Sequence, residues 1–295
     1  MLMNIPRTLP AVVVVFALLV SPFFLHAANQ ASCTFETFTA PAGYTLSQVQ
    51  GVSDDGTVVG QLVNNQSMRF IAFKRSGSGV ITLYAAPQSS STWLYGRSGI
   101  GVESGFYQDS VHPEQVHGFL LQDGKFTAVN HPKVTNTWLF NVNQLGAAVG
   151  SFSASASLVR GFLLLNGNYS VIAYPDARTT YPLAINDNGD VVGTYASGPI
   201  SNGFLWKDGT FSTINYPNSK YGTVLTGVNN SGTIVGNHLS TDRDLGFILQ
   251  NGEFKAIVYP GANYTTAGGI NNNGVISGQI HLADKSALGY TAVCE

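Results

Sequence analysis

The chain has 295 residues, enough to bury a substantial core in one or two domains, and carries 14 basic against 16 acidic residues. That near-neutral balance, with no basic run, excludes the electrostatic footprint needed to hold nucleic acid or an anionic membrane surface. Only 10% of residues are charged while Gly numbers 33, a mix that suits an all-β protein with many tight turns and disfavours a helical one.

In chain order the first element is residues 1–28. One Arg (Arg7) precedes a continuous apolar stretch at 11–25, and "HAA" at 26–28 supplies small residues for cleavage near Ala27 or Ala28. An apolar core of 15 residues falls short of the ~20 that span a bilayer, so this reads as a secretory signal peptide. Cys33 follows "NQAS", too far from the apolar core to accept a lipid. The expected product is secreted, extracellular or periplasmic, and not inserted in a membrane. In that oxidising setting its two cysteines, Cys33 and Cys294, are expected to be bonded to each other.

Beyond residue 41 the chain repeats itself. A Gly recurs at Gly60, Gly105, Gly150, Gly193, Gly236 and Gly278, at spacings of 45, 45, 43, 43 and 42 residues. Four residues before each stands another Gly (Gly56, Gly101, Gly146, Gly189, Gly232, Gly274). Thirteen residues before each stands a hydroxyl (Ser47, Thr92, Thr137, Thr180, Thr223, Thr265). A period of this length points to propeller blades or a comparable array. Each unit parses into four strands, seen most cleanly in "TVLTGVN", "TIVGNH", "LGFILQ" and "EFKAIVY". The first turn is Asn-x-x-Gly, where an Asx side chain closes a type I turn and the Gly takes the left-handed position. Strands three and four meet at "QDG", "LNG", "KDG" or "QNG".

The chain ends finish the pattern. "CTFETFTAP" at 33–41 aligns with "GEFKAIVYP" at 252–260, a fourth strand with no first three before it. "LGYTAVCE" at 288–295 aligns with "LGFILQNG" at 245–252, a third strand with no fourth after it. The last blade is therefore complete only if the N-terminal strand joins it, which sets Cys33 beside Cys294. In an open stack of six layers about 10 Å apart, the two sulfurs would be far beyond bonding reach. The expectation is an all-β, six-bladed β-propeller of four-stranded antiparallel blades, closed by its N-terminal strand. Its repeats lie at about 42–87, 88–132, 133–175, 176–217, 218–260 and 261–295 plus 33–41.

"GINNNGVISG" followed by a short loop, and the preceding "GFILQNGEFKAIVYPGA", resemble the bacterial extracellular HAF repeats, over essentially 33–295. His117-Gly118-Phe119 is the nearest copy of the His-Ala-Phe tripeptide that gives the family its name. Arg160, Asn202, Leu245 and Leu288 stand at the His position in other repeats. The resemblance implies export and a repeat-built β fold, and brings no catalytic role with it.

Propeller geometry puts the variable loops between strands two and three on one face, where binding usually resides on a rigid scaffold. The residues after the repeated hydroxyls are Gln48, Trp93, Trp138, Tyr181, Val224 and Thr266, at the mouth of the central channel. Aromatics with a polar edge suit sugar rings and peptide side chains; packing between blades is the competing role. A ligand platform is thus expected at Trp93, Trp138 and Tyr181 with Gln48, rimmed by His112, Glu114 and His117. The five histidines after the leader (His112, His117, His131, His238, His281) read as solvated loop residues, and neither a metal site nor a cofactor site is expected. Trp206 reads as packing. Six loop carboxylates (Asp109, Glu114, Asp176, Asp242, Asp244, Asp284) leave open an acid/base pair of the kind glycosidases and lyases need.

The preferred reading is a monomeric, non-catalytic propeller binding a glycan or an extracellular protein. The rivals are a polysaccharide-cleaving enzyme and a structural matrix protein.

Overall fold

The computed structural model describes residues 29–132, 134–240 and 244–295; the expected signal peptide and Asp242 lie outside them. All regular structure among the described residues is β-strand. The strands form a propeller-like arrangement of four-stranded antiparallel ladders. The first ladder is Tyr44–Val52, Val58–Asn64, Phe70–Arg75 and Ile81–Tyr84. The second is Ser89–Arg97, Glu103–Asp109, Val116–Gln122 and Lys125–Val129; the third is Thr137–Val142, Ala148–Ser155, Leu158–Leu165 and Asn168–Ile172. The fourth is Thr179–Ile185, Val191–Ala196, Asn202–Lys207 and Thr210–Thr213; the fifth is Thr223–Val228, Ile234–His238, Leu245–Gln250 and Glu253–Ala256. The last runs Tyr264–Ile270, Val275–His281, Ala287–Cys294, and takes Cys33–Phe38 from the other end of the chain as its fourth strand.

Cys33 is the register partner of Cys294, and the two are disulfide-bonded with Cα atoms 4.1 Å apart. The first strands lie side by side in chain order, and Tyr264–Ile270 also packs against Tyr44–Val52.

Hydrogen bonding does not separate these ladders into equal, independent four-stranded sheets, which departs from the expectation. The third and fourth are joined by one parallel pair, Val159 with Thr179, because the Val159 N–H donates to the carbonyl of the connecting residue Arg178 (3.1 Å). Asn29–Gln30 adds a parallel fifth strand to Glu253–Ala256; the next residue, Ala31, is buried against Ile248 and Ile257.

Three devices recur across the ladders. In the hairpin between strands three and four of ladders two to five, both turn residues have positive φ, for example Asn166 (51°) and Gly167 (78°), the type I′ geometry that Asn-Gly favours. The Gly of strand two faces a ring from strand three: Gly150 pairs with Phe162, and Gly278 with Tyr290, both rings fully buried. The repeated hydroxyl is a clamp. Thr92, Thr137, Thr180, Thr223 and Thr265 accept through Oγ1 the N–H of Ala86, His131, Tyr174, Tyr216 and Tyr259, in each case the segment that leads in from the preceding ladder (2.9–3.1 Å). All five threonines are buried.

The turn Asn ties neighbours together as well as closing its own turn. Asn143 Oδ1 accepts the N–H groups of Leu145 and Ala147, while its Nδ2 donates to the Asn186 carbonyl in the next ladder (3.0 Å). Asn186 donates likewise to Asn229, Asn229 to Asn271, and Asn271 to the Ser53 carbonyl of the first ladder (2.9 Å).

Candidate functional site

Every first strand carries a register shift at the same place, between Leu139 and Asn141 in the third ladder and at equivalent positions in the others. The extra residue there is Gln50, Tyr95, Phe140, Leu183, Thr226 or Gly268. A bulge re-aims its side chain, and all six of these residues line a cavity of about 680 Å³ that opens among the variable loops.

The cavity has two unlike walls. Tyr95, Phe106, Trp138, Phe140 and Tyr181 from ladders two to four make one. Their rings follow each other: Tyr95 to Phe106 at 5.3 Å, Tyr95 to Phe140 at 5.2 Å, Phe140 to Tyr181 at 6.5 Å. Burial pushes the Tyr95 hydroxyl up to about 12 and raises that of Tyr181, so both are neutral donors at any physiological pH. The other wall, from the fifth, last and first ladders, carries the polar groups Gln48, Gln50, Asn237, Asp244, Gln279 and His281, set among Val49, Val224, Leu239 and Tyr264. Gln48 Oε1 accepts from Gln61 Nε2 (2.6 Å) and Gln50 Nε2 (2.8 Å), Gln279 Nε2 donates to the Ser47 carbonyl (3.0 Å), and Asn237 exchanges two bonds with the Ala267 backbone.

Of the residues expected at a ligand platform, this cavity gathers Gln48, Trp138 and Tyr181. Trp93 is elsewhere, its ring 5.1 Å from both Phe70 and Phe106 in a packed stack. His112, Glu114 and His117 also lie outside it. Asp109 Oδ1 caps that loop by accepting the N–H groups of Val111 and His112, bonds that hold its carboxyl below the usual range. Exposed His112 and Glu114 are 3.7 Å apart, and His117 packs on Tyr107 and meets Asn130 Oδ1 at 3.1 Å.

The reading of all five histidines as solvated is corrected for four and holds for exposed His112. His117 is half-buried on Tyr107, His131 stacks on Phe152 at 3.8 Å, His238 on Tyr216 at 4.8 Å and His281 on Tyr264 at 4.1 Å, and burial lowers the pKa of His131, His238 and His281. Asp244 is the one carboxylate among the described residues that line the cavity. Asp109, Glu114, Asp176 and Asp284 are outside, so the described lining holds no acid/base pair of carboxylates. Among the described residues no group of three or more His, Cys, Asp or Glu is placed to hold a metal ion.

The bulge residues were missed by sequence reasoning, although each stands ten residues before the strand-two Gly. That offset was the available signal.

The cavity narrows toward the Asn-x-x-Gly turns, where a second space of about 100 Å³ is bordered by Asp54, Gly99, Gln144, Asp187 and Asn230. Gly99 has no side chain to contribute. Gln144 reaches across it, Nε2 donating to Asp54 Oδ2 two ladders away (3.2 Å), and a Cβ on Gly99 would meet that Nε2 at 2.9 Å.

No protein-family model matches the chain, and no curated protein does. Solved structures do match. AofleA from Arthrobotrys oligospora is 11% identical, with a TM-score of 0.59, over 90% of this chain and 88% of that one. A mutant of the Aleuria aurantia lectin AAL in complex with Fucα1-6GlcNAc is 9% identical, TM-score 0.53, over 84% of this chain and 91% of that one. A catalytically inactive mutant of virginiamycin B lyase from Staphylococcus aureus, with quinupristin, is 12% identical, TM-score 0.51, over 88% of each chain. At these identities the likeness concerns the fold alone.

Proposed function

We propose that the ladders are the six blades of a closed ring, and that the chain is an exported, non-catalytic protein that binds a carbohydrate at the loop-face mouth of its central channel. Closure is supported by the disulfide between Cys33–Phe38 and the last strand, and by the Asn271 to Ser53 bond across the ends. The disulfide fits an oxidising compartment, and no helix among the described residues is long and apolar enough to cross a membrane.

One observation carries the binding assignment: a 680 Å³ cavity with Trp138 and Tyr181 on one wall and amide side chains on the other. A pyranose has an apolar face and a hydroxyl rim, and such a cavity offers flat ring area on one side and hydrogen-bonding groups opposite. A lectin in complex with a fucosylated disaccharide shares the fold, which favours a sugar over other ligands of similar shape. The single described carboxylate in the lining weighs against polysaccharide cleavage through paired loop carboxylates.

The test is a glycan array with the oxidised protein. Trp138→Ala and Tyr181→Ala are expected to abolish retention while the melting temperature stays within a few degrees. Trp93→Ala, which empties a ring stack, is expected to cost about 2–4 kcal/mol of stability instead. Full glycan retention by both channel variants would overturn the assignment, as would release of reducing ends from a retained glycan.

A further inference from the structure

The polar wall contains one charge that the described protein does not answer. Asp244 lines the cavity and is half-buried; burial raises its carboxyl, and the Ser240 backbone N–H opposes that by hydrogen bonding. Among the described residues, the titratable groups that interact with it are His238 and His281. Both are lowered by burial and are therefore neutral near pH 7, so neither supplies a positive charge there. No Lys or Arg is among the described residues that line the cavity, and no described cation lies within 4 Å of the carboxylate.

A ligand that fills this space strips water from Asp244. A neutral sugar would leave the carboxylate desolvated with no counter-charge from the described residues, which is costly, and an acidic sugar would add repulsion. An ammonium group would instead form a charge-assisted hydrogen bond with it. The opposite wall suits the same ligand, because Tyr95, Trp138, Phe140 and Tyr181 supply apolar aromatic area on which the sugar ring packs.

Building on the reading of the channel mouth as a carbohydrate site, we propose that its ligand is an amino sugar with a free amine: the ammonium sits against Asp244 and the ring lies on Trp138 and Tyr181. Discrimination arises as much from the penalty on neutral and acidic sugars as from the new bond.

Isothermal titration of the oxidised protein at pH 7 with three tetrasaccharides tests this: glucosamine, N-acetylglucosamine and galacturonic acid. The glucosamine tetramer is expected to bind at least about tenfold tighter than the N-acetylated one, with no detectable binding of the uronate. Asp244→Asn is expected to weaken glucosamine binding about tenfold or more with an unchanged melting temperature. Asp284→Asn, outside the cavity, is expected to leave it as it was. Equal affinity for the first two tetramers, or tighter binding of the uronate, would overturn the amine assignment and leave the carbohydrate reading standing. So would an Asp244→Asn protein that keeps full affinity for the glucosamine tetramer. Binding of none of the three would overturn the amine assignment, and loss of all retention on the glycan array as well would overturn the carbohydrate reading.

Discussion

Asn143 satisfies three hydrogen-bonding partners with one amide, two N–H groups within its own turn and a carbonyl in the next ladder. The first ladder has Ser53 at that position and divides the work. Asp55, two residues on, accepts the Thr57 N–H (2.9 Å) and the Ser53 hydroxyl (2.6 Å), while Arg97 from the next ladder reaches its other oxygen (3.1 Å). A neutral amide has thus been exchanged for a carboxylate, and this turn becomes sensitive to acid. Burial pushes the Asp55 carboxyl up, but the bonds from Ser53, Thr57 and Arg97 outweigh it and hold the group well below the usual carboxylate range. A folded-state pKa below the unfolded one gives stability that is complete above about pH 4 and is lost as pH falls through the folded value. Asp55→Asn is expected to be less stable than the parent at pH 7 and to show a shallower decline between pH 4 and 2, measured by urea denaturation across that range. Equal acid slopes for the two proteins would show that Asp55 carries none of the dependence. The turn itself was legible from Asn-x-x-Gly, because turn chemistry is local. The Nδ2 bond to the neighbouring ladder was not, because it depends on how ladders stack.

Strand alternation places Trp138 toward the channel and Leu139 into the core, and the sequence pattern carries that much. The same alternation sends Phe140 to the channel side with Trp138. What it does not carry is the break that follows, because the inserted residue shifts the register and puts Val142 rather than Asn141 in the core. The bulge also explains the strand-two Gly. In the third ladder an added Cβ on Gly150 would sit on the Trp138 carbonyl oxygen and against the Phe162 ring, although the φ of Gly150 is not positive. Close approach demands glycine there, whereas at Gly146 the demand is purely conformational, with φ of 78° and open space around it. Gly150→Ala is therefore expected to cost about 1–3 kcal/mol by overpacking, seen as a lower urea midpoint at constant slope. A loss below about 0.5 kcal/mol would mean that the first strand shifts freely and that the bulge is not a fixed element.

Across the molecule, the alignment of both chain ends with internal strands made the pairing of Cys33–Phe38 with Ala287–Cys294 readable in advance. The two additions to the sheets were not readable. The Val159–Thr179 bridge and the parallel strand at Asn29–Gln30 rest on the path of single connecting segments, which no repeat encodes. The disulfide spans 261 residues, and the chain-entropy relation assigns such a loop roughly 5 kcal/mol. Most of that acts on the unfolded chain, so the native contacts of the last ladder survive reduction but are no longer enforced. Cys294→Ser is expected to lower the melting temperature by roughly 5–10 °C. Hydrogen exchange should rise first in Cys33–Phe38 and Ala287–Cys294, the pair of strands with no covalent turn between them, and then in Tyr44–Val52, which packs on the last ladder. Protection in the third and fourth ladders should persist longest, since their neighbours on both sides are joined through the chain. If the reduced protein melted at the same temperature with uniform exchange, the non-covalent contacts across the ends would be sufficient by themselves. The cysteines would then be protecting the fold only against slow opening, a kinetic role that an unfolding-rate measurement would expose.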